Sequence, residues 1–130
     1  MKKDGRKVLI DTSAWVDFFR GTSKTADAVA ELIEKGQAYI CGVISYELIQ
    51  GAKSEEEALH LASVLAALHY IEMTSDLWIR AGNISFGLRR KGLTLPMSDL
   101  LIGALALEHG LEVLTLDDHF TSIPGLKLSG

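Results

Sequence analysis

The sequence has 130 residues, a formal net charge of −4 at pH 7, 48% hydrophobic residues and 23% charged residues. This length suits one domain with its own core, so we expect a single domain over residues 1–130. The negative charge argues against a general nucleic-acid coat, and no stretch reaches the roughly 20 apolar residues of a membrane span. An enzyme that acts on nucleic acid stays open, because bound divalent cations offset the charge of the acids that hold them.

The first residues of the chain and its cysteine indicate the cellular compartment of the protein. The basic stretch 2–7 resembles the first part of a signal peptide, but only three apolar residues follow before Asp11. Cys41 is the single cysteine and lies in an apolar run, so we expect a small core residue in a reducing compartment. We therefore expect a cytoplasmic protein without a membrane partner.

Apolar periodicity, caps and glycines divide the chain into alternating strands and helices. In chain order we predict a strand at 7–10, helices at 14–19 and 25–35, a strand at 39–41, a helix from 45, a helix at 55–68, a strand at 70–73, helices at 75–91 and 99–109, a strand at 112–116 and a short strand at 126–128. Ser45, Ser75 and Ser98 are the expected caps of three helices. This alternation favours a parallel sheet of four or five strands with helices on both faces, a three-layer α/β/α sandwich.

Four acidic residues lie at corresponding ends of these elements. Asp11 and Asp117 close apolar runs, while Glu47 and Asp99 open helical patterns. In an open α/β sheet, ligands collect at the carboxyl ends of the strands and at the helix starts beside them, so we expect these carboxylates to converge. Oxygen ligands favour Mg²⁺ or Mn²⁺. The sequence therefore predicts a site for one or two such ions.

A site of this kind suits the hydrolysis of a phosphodiester. Two metal ions about 4 Å apart activate a water and stabilise the charge that develops on the leaving oxygen. We expect Asp11 to lie closest to the metals, and the crowding of like charges to raise at least one carboxylate pKa in the absence of metal. Gly51 and Gly103 each follow an acid by four residues, which predicts space beside two of the carboxylates. Helix termination for Gly51 and close helix–sheet packing for Gly103 are the alternatives.

Four local strings together resemble a PIN domain, and specifically a ribonuclease toxin of the VapC type. They are LIDTSAW at 9–15, SYEL at 45–48 with Gly51, SDLLIGA at 98–104 and LTLDDHF at 114–120. The resemblance covers nearly the whole chain, from about Val8 to Phe120, and the order of the strings is more specific than any one of them. It implies an α/β/α sandwich, endoribonuclease activity on structured RNA of the tRNA or rRNA class with Mg²⁺ or Mn²⁺, and neutralisation by a VapB-type antitoxin.

The resemblance also implies roles for individual residues. The first three acids of the family correspond to Asp11, Glu47 and Asp99, and Asp117 fits the Thr-x-Asp pattern of the fourth, with Asp118 as the alternative. Two hydroxyl positions of the family, which orient a ligand or a metal-bound water, correspond to Ser13 and Thr115. Capping by the serine and plain strand polarity of the threonine are the alternatives.

Several cations are candidates for contact with RNA phosphates. Arg80, Arg89 and Arg90 lie on the long helical pattern, although a solvated face and cations favoured at a helix C-terminus explain this pattern as well. Arg20 belongs to a Phe-Arg-Gly string frequent in VapC-like chains, where the resemblance suggests a groove entrance or an antitoxin contact. Among the histidines, His119 lies close enough to Asp117 in sequence to support the site.

The aromatic residues of the first helix bear on assembly. Trp15, Phe18 and Phe19 have a spacing that favours the core or a dimer interface over the stacking of a base. The resemblance implies a homodimer, to which the apolar residues of the first helices add little support.

Two other functions compete with a ribonuclease. A haloacid-dehalogenase-like phosphatase also uses an aspartate at a strand end, but it needs a second aspartate two positions later, where this chain has Ser13. A non-enzymatic α/β binding domain is the other alternative, since fold does not fix function. Activity on a small phosphate ester would favour the phosphatase, and metal binding without turnover would favour the binding domain.

Overall fold

The computed structural model describes residues 5–21 and 23–129, so the first part of the basic stretch lies outside it. Four strands of the described chain form one sheet: β1 (Val8–Ile10), β2 (Ala38–Cys41), β3 (His69–Ile71) and β4 (Glu112–Leu114). All of them pair in parallel, in the order β3-β2-β1-β4. Strand β1 therefore lies inside the sheet, between β2 and β4.

Within the described residues, helices connect the strands and cover the sheet. They are α1 (Thr12–Arg20), α2 (Lys24–Glu34), α3 (Gly42–Gln50), α4 (Glu55–Ala66), α5 (Ser75–Arg89) and α6 (Met97–His109), and a 3-10 helix (Asp118–Ser122) follows β4. The chain steps from β1 to β3 in one direction and then returns past β1 to β4. Because parallel crossovers are right-handed, α1 to α4 cover one face of the sheet, and α5 and α6 cover the other. This confirms the predicted three-layer α/β/α sandwich, with four strands.

Strand β1 and helix α6 are the most deeply buried elements. Val8, Leu9 and Ile10 have no exposed surface, and α6 is buried without interruption from Asp99 to Ala106. A parallel strand covered on both faces is an unbroken apolar run, and a helix that is apolar all round is a core helix. None of the described helices has the length and apolarity that crossing a bilayer requires.

The predicted cap of α3 is wrong. The helix begins at Gly42, with Cys41 as its N-cap, so Ser45 lies inside the helix. Strand β2 runs directly into α3, and the apolar residues at the junction give no polar marker of the helix start. As a result Glu47 lies in the middle of α3 instead of its first turn.

The predicted caps of α5 and α6 are each displaced. Thr74 is the N-cap of α5, where its hydroxyl accepts a backbone hydrogen bond, and Ser75 is the first helical residue. Pro96 occupies the N-cap position of α6, so Ser98 is already helical. Asp99 is nevertheless in the first turn of α6, where the helix dipole favours a negative charge.

Strand β4 ends at Leu114, two residues before its predicted end. The backbone N–H of Leu116 donates to Ser13 Oγ at 3.0 Å, and that of Asp117 donates to Thr115 Oγ1 at 2.9 Å. Because these N–H groups bind side-chain hydroxyls instead of a neighbouring strand, the chain leaves the sheet here. Asp117 therefore lies on a turn beyond the strand.

The other predicted strand limits also differ. Strand β3 covers His69–Ile71 instead of 70–73. The segment 126–128 meets β4 through a single parallel bridge between Val113 and Leu128, flanked by backbone hydrogen bonds of 2.9 Å from Val113 N to Lys127 O and from Ser129 N to Val113 O. One bridge is too short to count as a fifth strand.

Candidate active site

Asp11 lies at the junction of β1 and α1, in the middle of the carboxyl edge of the sheet. Its backbone N–H donates to Leu114 O at 2.9 Å, and its carbonyl accepts from the N–H groups of Ala14 and Trp15. Its side chain is buried, with the residue only 5% exposed. Fixed on both sides by backbone hydrogen bonds, this carboxylate has little freedom to move.

Two hydroxyl groups hold one oxygen of Asp11. Ser13 Oγ donates to Asp11 Oδ2 at 2.9 Å, and Thr115 Oγ1 donates to the same oxygen at 2.8 Å. The hydroxyls lie 3.2 Å apart and also accept the backbone N–H groups that end β4. The pair therefore ties the loop after β4 to Asp11, and it leaves Oδ1 as the oxygen better placed to bind a cation.

Glu47 is held by a residue that the sequence did not single out. Thr12 Oγ1 donates to Glu47 Oε1 at 2.7 Å, which joins α1 to the middle of α3. In the sequence, the run of Asp11, Thr12 and Ser13 is typical of a helix cap, so nothing local distinguished this hydroxyl. The hydrogen bond fixes one oxygen of Glu47 and thereby the direction of the other.

Asp99, Asp117 and His119 form a compact group beside Asp11. His119 Nδ1 lies 2.7 Å from Asp99 Oδ2 and 3.1 Å from Asp117 Oδ1. The backbone N–H of His119 also donates to Asp117 Oδ1 at 3.0 Å. One potential ligand atom from each of the three residues lies within 4.8 Å of the other two. Asp118 is exposed and takes no part in this group.

The pKa values indicate that the carboxylates interact. Burial raises the pKa of Asp99, the hydrogen bond from His119 lowers it, and the negative charges of Asp11 and Asp117 raise it further. The hydrogen bond to Asp99 raises the pKa of His119. The raised pKa of Asp99 agrees with the expectation that one carboxylate pKa is raised among crowded acids, with burial as the larger cause and like charge as the smaller.

Glu47 belongs to the same edge. Burial raises the pKa of the Cys41 thiol, and the negative charges of Asp11 and Glu47 add to this effect. Cys41 is fully buried, as predicted for a small core residue, and it ends β2 next to β1. The four predicted acids therefore gather at the carboxyl edge of the sheet, with Asp11 and Glu47 outside the tight group around His119.

A cleft of about 520 Å³ opens beside Glu47, between α1, α3 and α4. Arg20 and Phe19 line it from α1, and Glu57 and Leu61 line it from α4. The resemblance suggested a groove entrance or an antitoxin contact for Arg20, and in the structure Arg20 shares this cleft with Glu47. The cleft is therefore lined by an arginine, by apolar side chains and by one of the four acids.

The arginines of α5 are spread along the helix. Arg89 lines a second cleft together with Met97, at the start of α6. Arg90 lies over the ring of Phe86, with its guanidinium carbon 5.6 Å from the ring centroid. Arg80 precedes Arg89 by nine residues, about 14 Å along the axis at 1.5 Å per residue, so the two do not form one cluster.

Gly103 does not act by leaving space beside a carboxylate, whereas Gly51 lines the cleft that also contains Glu47. A Cβ atom at Gly51 would meet only backbone oxygens at 3.6 Å, and Gly51 is the C-cap of α3. A Cβ atom at Gly103 would lie 2.5 Å from Ile123 Cδ1. Close packing is therefore the role of Gly103, while the position of Gly51 agrees both with helix termination and with space beside Glu47.

Gly103→Ala is expected to destabilise the protein by about 1 kcal/mol, because the cost of overpacking exceeds the gain in helix propensity. Gly82→Ala is the matched control: Gly82 also lies within a helix, and a Cβ there meets nothing within 4 Å, so it should be neutral or stabilising. Chemical denaturation measures both. If the clash causes the loss, adding Ile123→Val should recover part of it, and a loss that is unchanged in the double variant would contradict this account.

The aromatic residues of α1 mainly serve the core. Trp15 is fully buried and makes an edge contact with Phe18 at 5.6 Å and a stacked contact with Phe19 at 6.0 Å between ring centroids. Trp15 therefore has no surface with which to stack a base or meet a second subunit. Phe19, at 38% exposed, is the member of the group that reaches the cleft.

Comparison with known proteins gives consistent matches in sequence. A model of the PIN domain matches residues 8–126. Ribonuclease VapC11 of Mycobacterium tuberculosis is 34% identical over 121 residues, which cover 89% of this chain and 90% of the relative. The chain is thus similar to this ribonuclease over nearly the full length of both.

Solved structures give matches over a similar length. The fold is similar to that of DNA-bound VapBC from Salmonella typhimurium, with a TM-score of 0.81, 25% identity and coverage of 95% of this chain and 97% of that one. It is also similar to M. tuberculosis VapC20, a toxin that cleaves the sarcin–ricin loop, with a TM-score of 0.71 and 16% identity over 95% of this chain and 100% of that one.

Proposed function

Because the chain belongs to the PIN-domain family and to its VapC ribonucleases, we propose that it is an endoribonuclease toxin that depends on Mg²⁺ or Mn²⁺. The carboxylates that would hold one or two ions are Asp11, Glu47, Asp99 and Asp117. The observation that carries the proposal is the gathering of Asp99, Asp117 and His119 within 4.8 Å, beside the buried Asp11. The phosphatase and the binding domain are not retained, since the relatives are ribonucleases.

The chemistry of the site fits a divalent cation. Carboxylate oxygens are the preferred ligands of Mg²⁺ and Mn²⁺. Burial and nearby negative charge raise the pKa of Asp99, which means that ionising this group without a counter-charge is unfavourable. A cation among these oxygens removes that penalty.

Some side chains of the site would hold the metal, and their hydrogen-bond partners orient them. When bound, the metal makes a water nucleophilic near neutral pH and neutralises charge on the phosphate. Asp11 offers Oδ1 because Ser13 and Thr115 occupy Oδ2. Glu47 is oriented by Thr12, and Asp117 by the N–H of His119. These contacts fix the directions of the carboxylates before substrate binds, so little reorganisation is needed during the reaction.

Thr12→Val is expected to lower kcat/KM for RNA cleavage by about tenfold, with little effect on thermal stability. Valine keeps the shape of threonine but cannot donate to Glu47, and losing a partner of a metal ligand typically costs about 10–100-fold. Thr12→Ser keeps the hydroxyl and should stay close to the wild type. Equal losses in both variants would show that the methyl group matters instead of the hydrogen bond.

We assign the substrate to structured RNA of the tRNA or rRNA class. The VapC20 toxin, which cleaves the sarcin–ricin loop, shares the fold and supports this class. Arg20 lies beside Glu47 in one cleft, so it can take a phosphate that flanks this carboxylate. Arg89 lines the other cleft with Met97, and none of the four acids lines that cleft. Arg80 and Arg90 are the weaker candidates, because the first lies apart and the second covers Phe86.

We assign the VapB-type antitoxin to the cleft between α1, α3 and α4. VapC-like structures occur in complexes with their antitoxins, as in VapBC of Salmonella typhimurium. Val16 and Phe19, 41% and 38% exposed, offer an apolar wall, and Glu47 opens into the same cleft. A partner segment in this position would cover Glu47 and Arg20 and thereby keep RNA from the site.

A homodimer fits the distribution of exposed apolar side chains. On α5, Trp78, Ile79 and Phe86 are 50%, 67% and 63% exposed, and Met97 at the start of α6 is 67% exposed. Large exposed apolar groups on one layer mark an interaction surface. We assign the dimer contact to this layer, because the aromatic residues of α1 are committed to the core and to the cleft.

Cleavage of total cellular RNA by the purified protein tests the function directly. Incubation with Mg²⁺ or Mn²⁺ should give discrete fragments, and EDTA should prevent their formation. Addition of the cognate antitoxin should suppress cleavage in the presence of metal. Fragments that persist in EDTA, or intact RNA with both ions, would overturn the proposal.

A further inference from the structure

We propose that His119 is itself a metal ligand, through Nδ1, and that it biases this centre toward Mn²⁺ over Mg²⁺. The inference rests on the metal-dependent function proposed above and concerns the choice of ion. The family resemblance supplied only carboxylates as ligands. Here an imidazole nitrogen lies between two of those carboxylates, at 2.7 Å from Asp99 Oδ2 and 3.1 Å from Asp117 Oδ1.

These distances match the spacing of neighbouring ligands. Around an octahedral ion with ligand distances of about 2.1 Å, adjacent ligand atoms lie about 3.0 Å apart. One oxygen of Asp99, one of Asp117 and the nitrogen of His119 all lie within 4.8 Å of one another. The nitrogen of His119 can therefore share a single ion with one oxygen of each aspartate.

The backbone around His119 supports a fixed position for the ring. The N–H of His119 donates to Asp117 Oδ1 at 3.0 Å and so begins the 3-10 helix Asp118–Ser122. The next residue, Phe120, is 1% exposed and anchors this helix in the core. The side chain of His119 is 47% exposed, which leaves the outer side of the site open to water and phosphate.

The nitrogen changes which ion the site prefers. Mg²⁺ favours oxygen ligands and retains several waters, whereas imidazole is a common ligand of Zn²⁺, Cu²⁺, Fe²⁺ and Ni²⁺. Mn²⁺ accepts both kinds of donor, so replacing one oxygen ligand by nitrogen costs it less than it costs Mg²⁺. A site with an oxygen ligand in place of the His119 nitrogen would lose this preference for Mn²⁺ over Mg²⁺.

Two substitutions separate ligation from positioning. To bind a metal, Nδ1 gives up its proton to solvent, which ends the hydrogen bond to Asp99 that it can make in the metal-free protein. His119→Asn places an amide N–H within reach of Asp99, so it keeps a hydrogen bond but provides no imidazole lone pair. His119→Asp provides an oxygen ligand instead. If His119 only positioned Asp99, the asparagine variant would retain the ion preference of the wild type. His109→Asn, at the end of α6, is the matched control for loss of a histidine.

The experiment is Mn²⁺ and Mg²⁺ titration by calorimetry, with pulsed electron paramagnetic resonance of the Mn²⁺-loaded protein. We expect wild type and His109→Asn to show the ¹⁴N coupling of a directly bound imidazole. His119→Asn should lose this coupling and at least about tenfold in Mn²⁺ affinity, the scale on which partners of a metal site act, with Mg²⁺ affinity nearly unchanged. His119→Asp should favour Mg²⁺.

The outcomes distinguish this inference from the function on which it rests. Tight Mn²⁺ binding without ¹⁴N coupling in the wild type would overturn ligation by His119 and leave the metal-dependent ribonuclease intact. A coupling that survives His119→Asn would also overturn it. No binding of either ion to any of these proteins would overturn both proposals together.

Discussion

Asp11→Asn is expected to abolish RNA cleavage, with a loss of more than about 100-fold, while the protein stays folded. Even the outer partners of metal ligands are worth about 10–100-fold, and Asp11 is the central carboxylate at the edge of the sheet. Asparagine keeps the size of aspartate, and its amide oxygen can still accept hydrogen bonds from Ser13 and Thr115. The change thus removes negative charge with little effect on packing. Initial rates with Mg²⁺ or Mn²⁺ measure the loss.

Asp118→Asn is the matched control for this charge. It removes an acid next to Asp117 that is exposed and outside the group around His119. We expect Asp118→Asn to retain nearly full activity. The single variant Asp117→Asn should lose activity, as Asp11→Asn does. Cleavage that survives Asp11→Asn would indicate a contaminating nuclease or a centre elsewhere. A loss confined to Asp118→Asn would reverse the choice of fourth acid.

Metal is expected to stabilise the wild-type fold, and Asp99→Asn is expected to remove this effect. An ion at 100 times its Kd contributes about 2.7 kcal/mol, which corresponds to a rise in Tm of about 10 °C for a domain of this size. In EDTA the Asp99→Asn variant should be at least as stable as the wild type. The reason is that Asp99 is 7% exposed and its pKa is raised by burial, so its charge opposes folding until a cation neutralises it.

Thermal unfolding in EDTA and in excess Mn²⁺, for wild type, Asp99→Asn and Asp118→Asn, tests this directly. Asp118→Asn should keep the metal-dependent rise. An Asp99→Asn variant that is clearly less stable than the wild type in EDTA would mean that the hydrogen bond with His119 outweighs the cost of burying the charge. A wild-type Tm that does not respond to Mn²⁺ or Mg²⁺ would count against the metal centre.

The elements with strong local patterns were predictable from the sequence. The apolar run of β1 and the all-round apolar pattern of α6 are found as a central strand and a buried helix. Local patterns failed where the deciding contact is distant in sequence. Ser13 Oγ takes the N–H of Leu116, so β4 ends early, and the start of α3 lies in an apolar junction that carries no cap.

In the candidate site too, features with a local pattern were predictable, and contacts between distant residues were not. Asp11, Asp99 and Asp117 could be chosen from the sequence, because each follows or begins an element whose pattern is local. Glu47 was chosen as the start of a helix but lies in the middle of α3, and only the packing of α3 against α1 brings it to Thr12. Ser13, Thr115 and His119 were also named in advance, but two pairings were not. Thr12 and Glu47 are 35 residues apart, and Asp99 and His119 are 20 apart. The periodicity of an element gives the face that a side chain occupies but not the distance to a side chain on another element.

The amino-acid pattern alone thus specified a three-layer α/β/α domain with four carboxylates toward one edge of its sheet, because hydrophobic burial follows the period of each element. Packing of the layers then specified what surrounds those carboxylates. It brought two hydroxyls to one oxygen of Asp11, an imidazole between Asp99 and Asp117, and Ile123 against Gly103. Contacts of 2.7 to 3.2 Å depend on how separate elements meet in space, and that information is not local to any stretch of the chain.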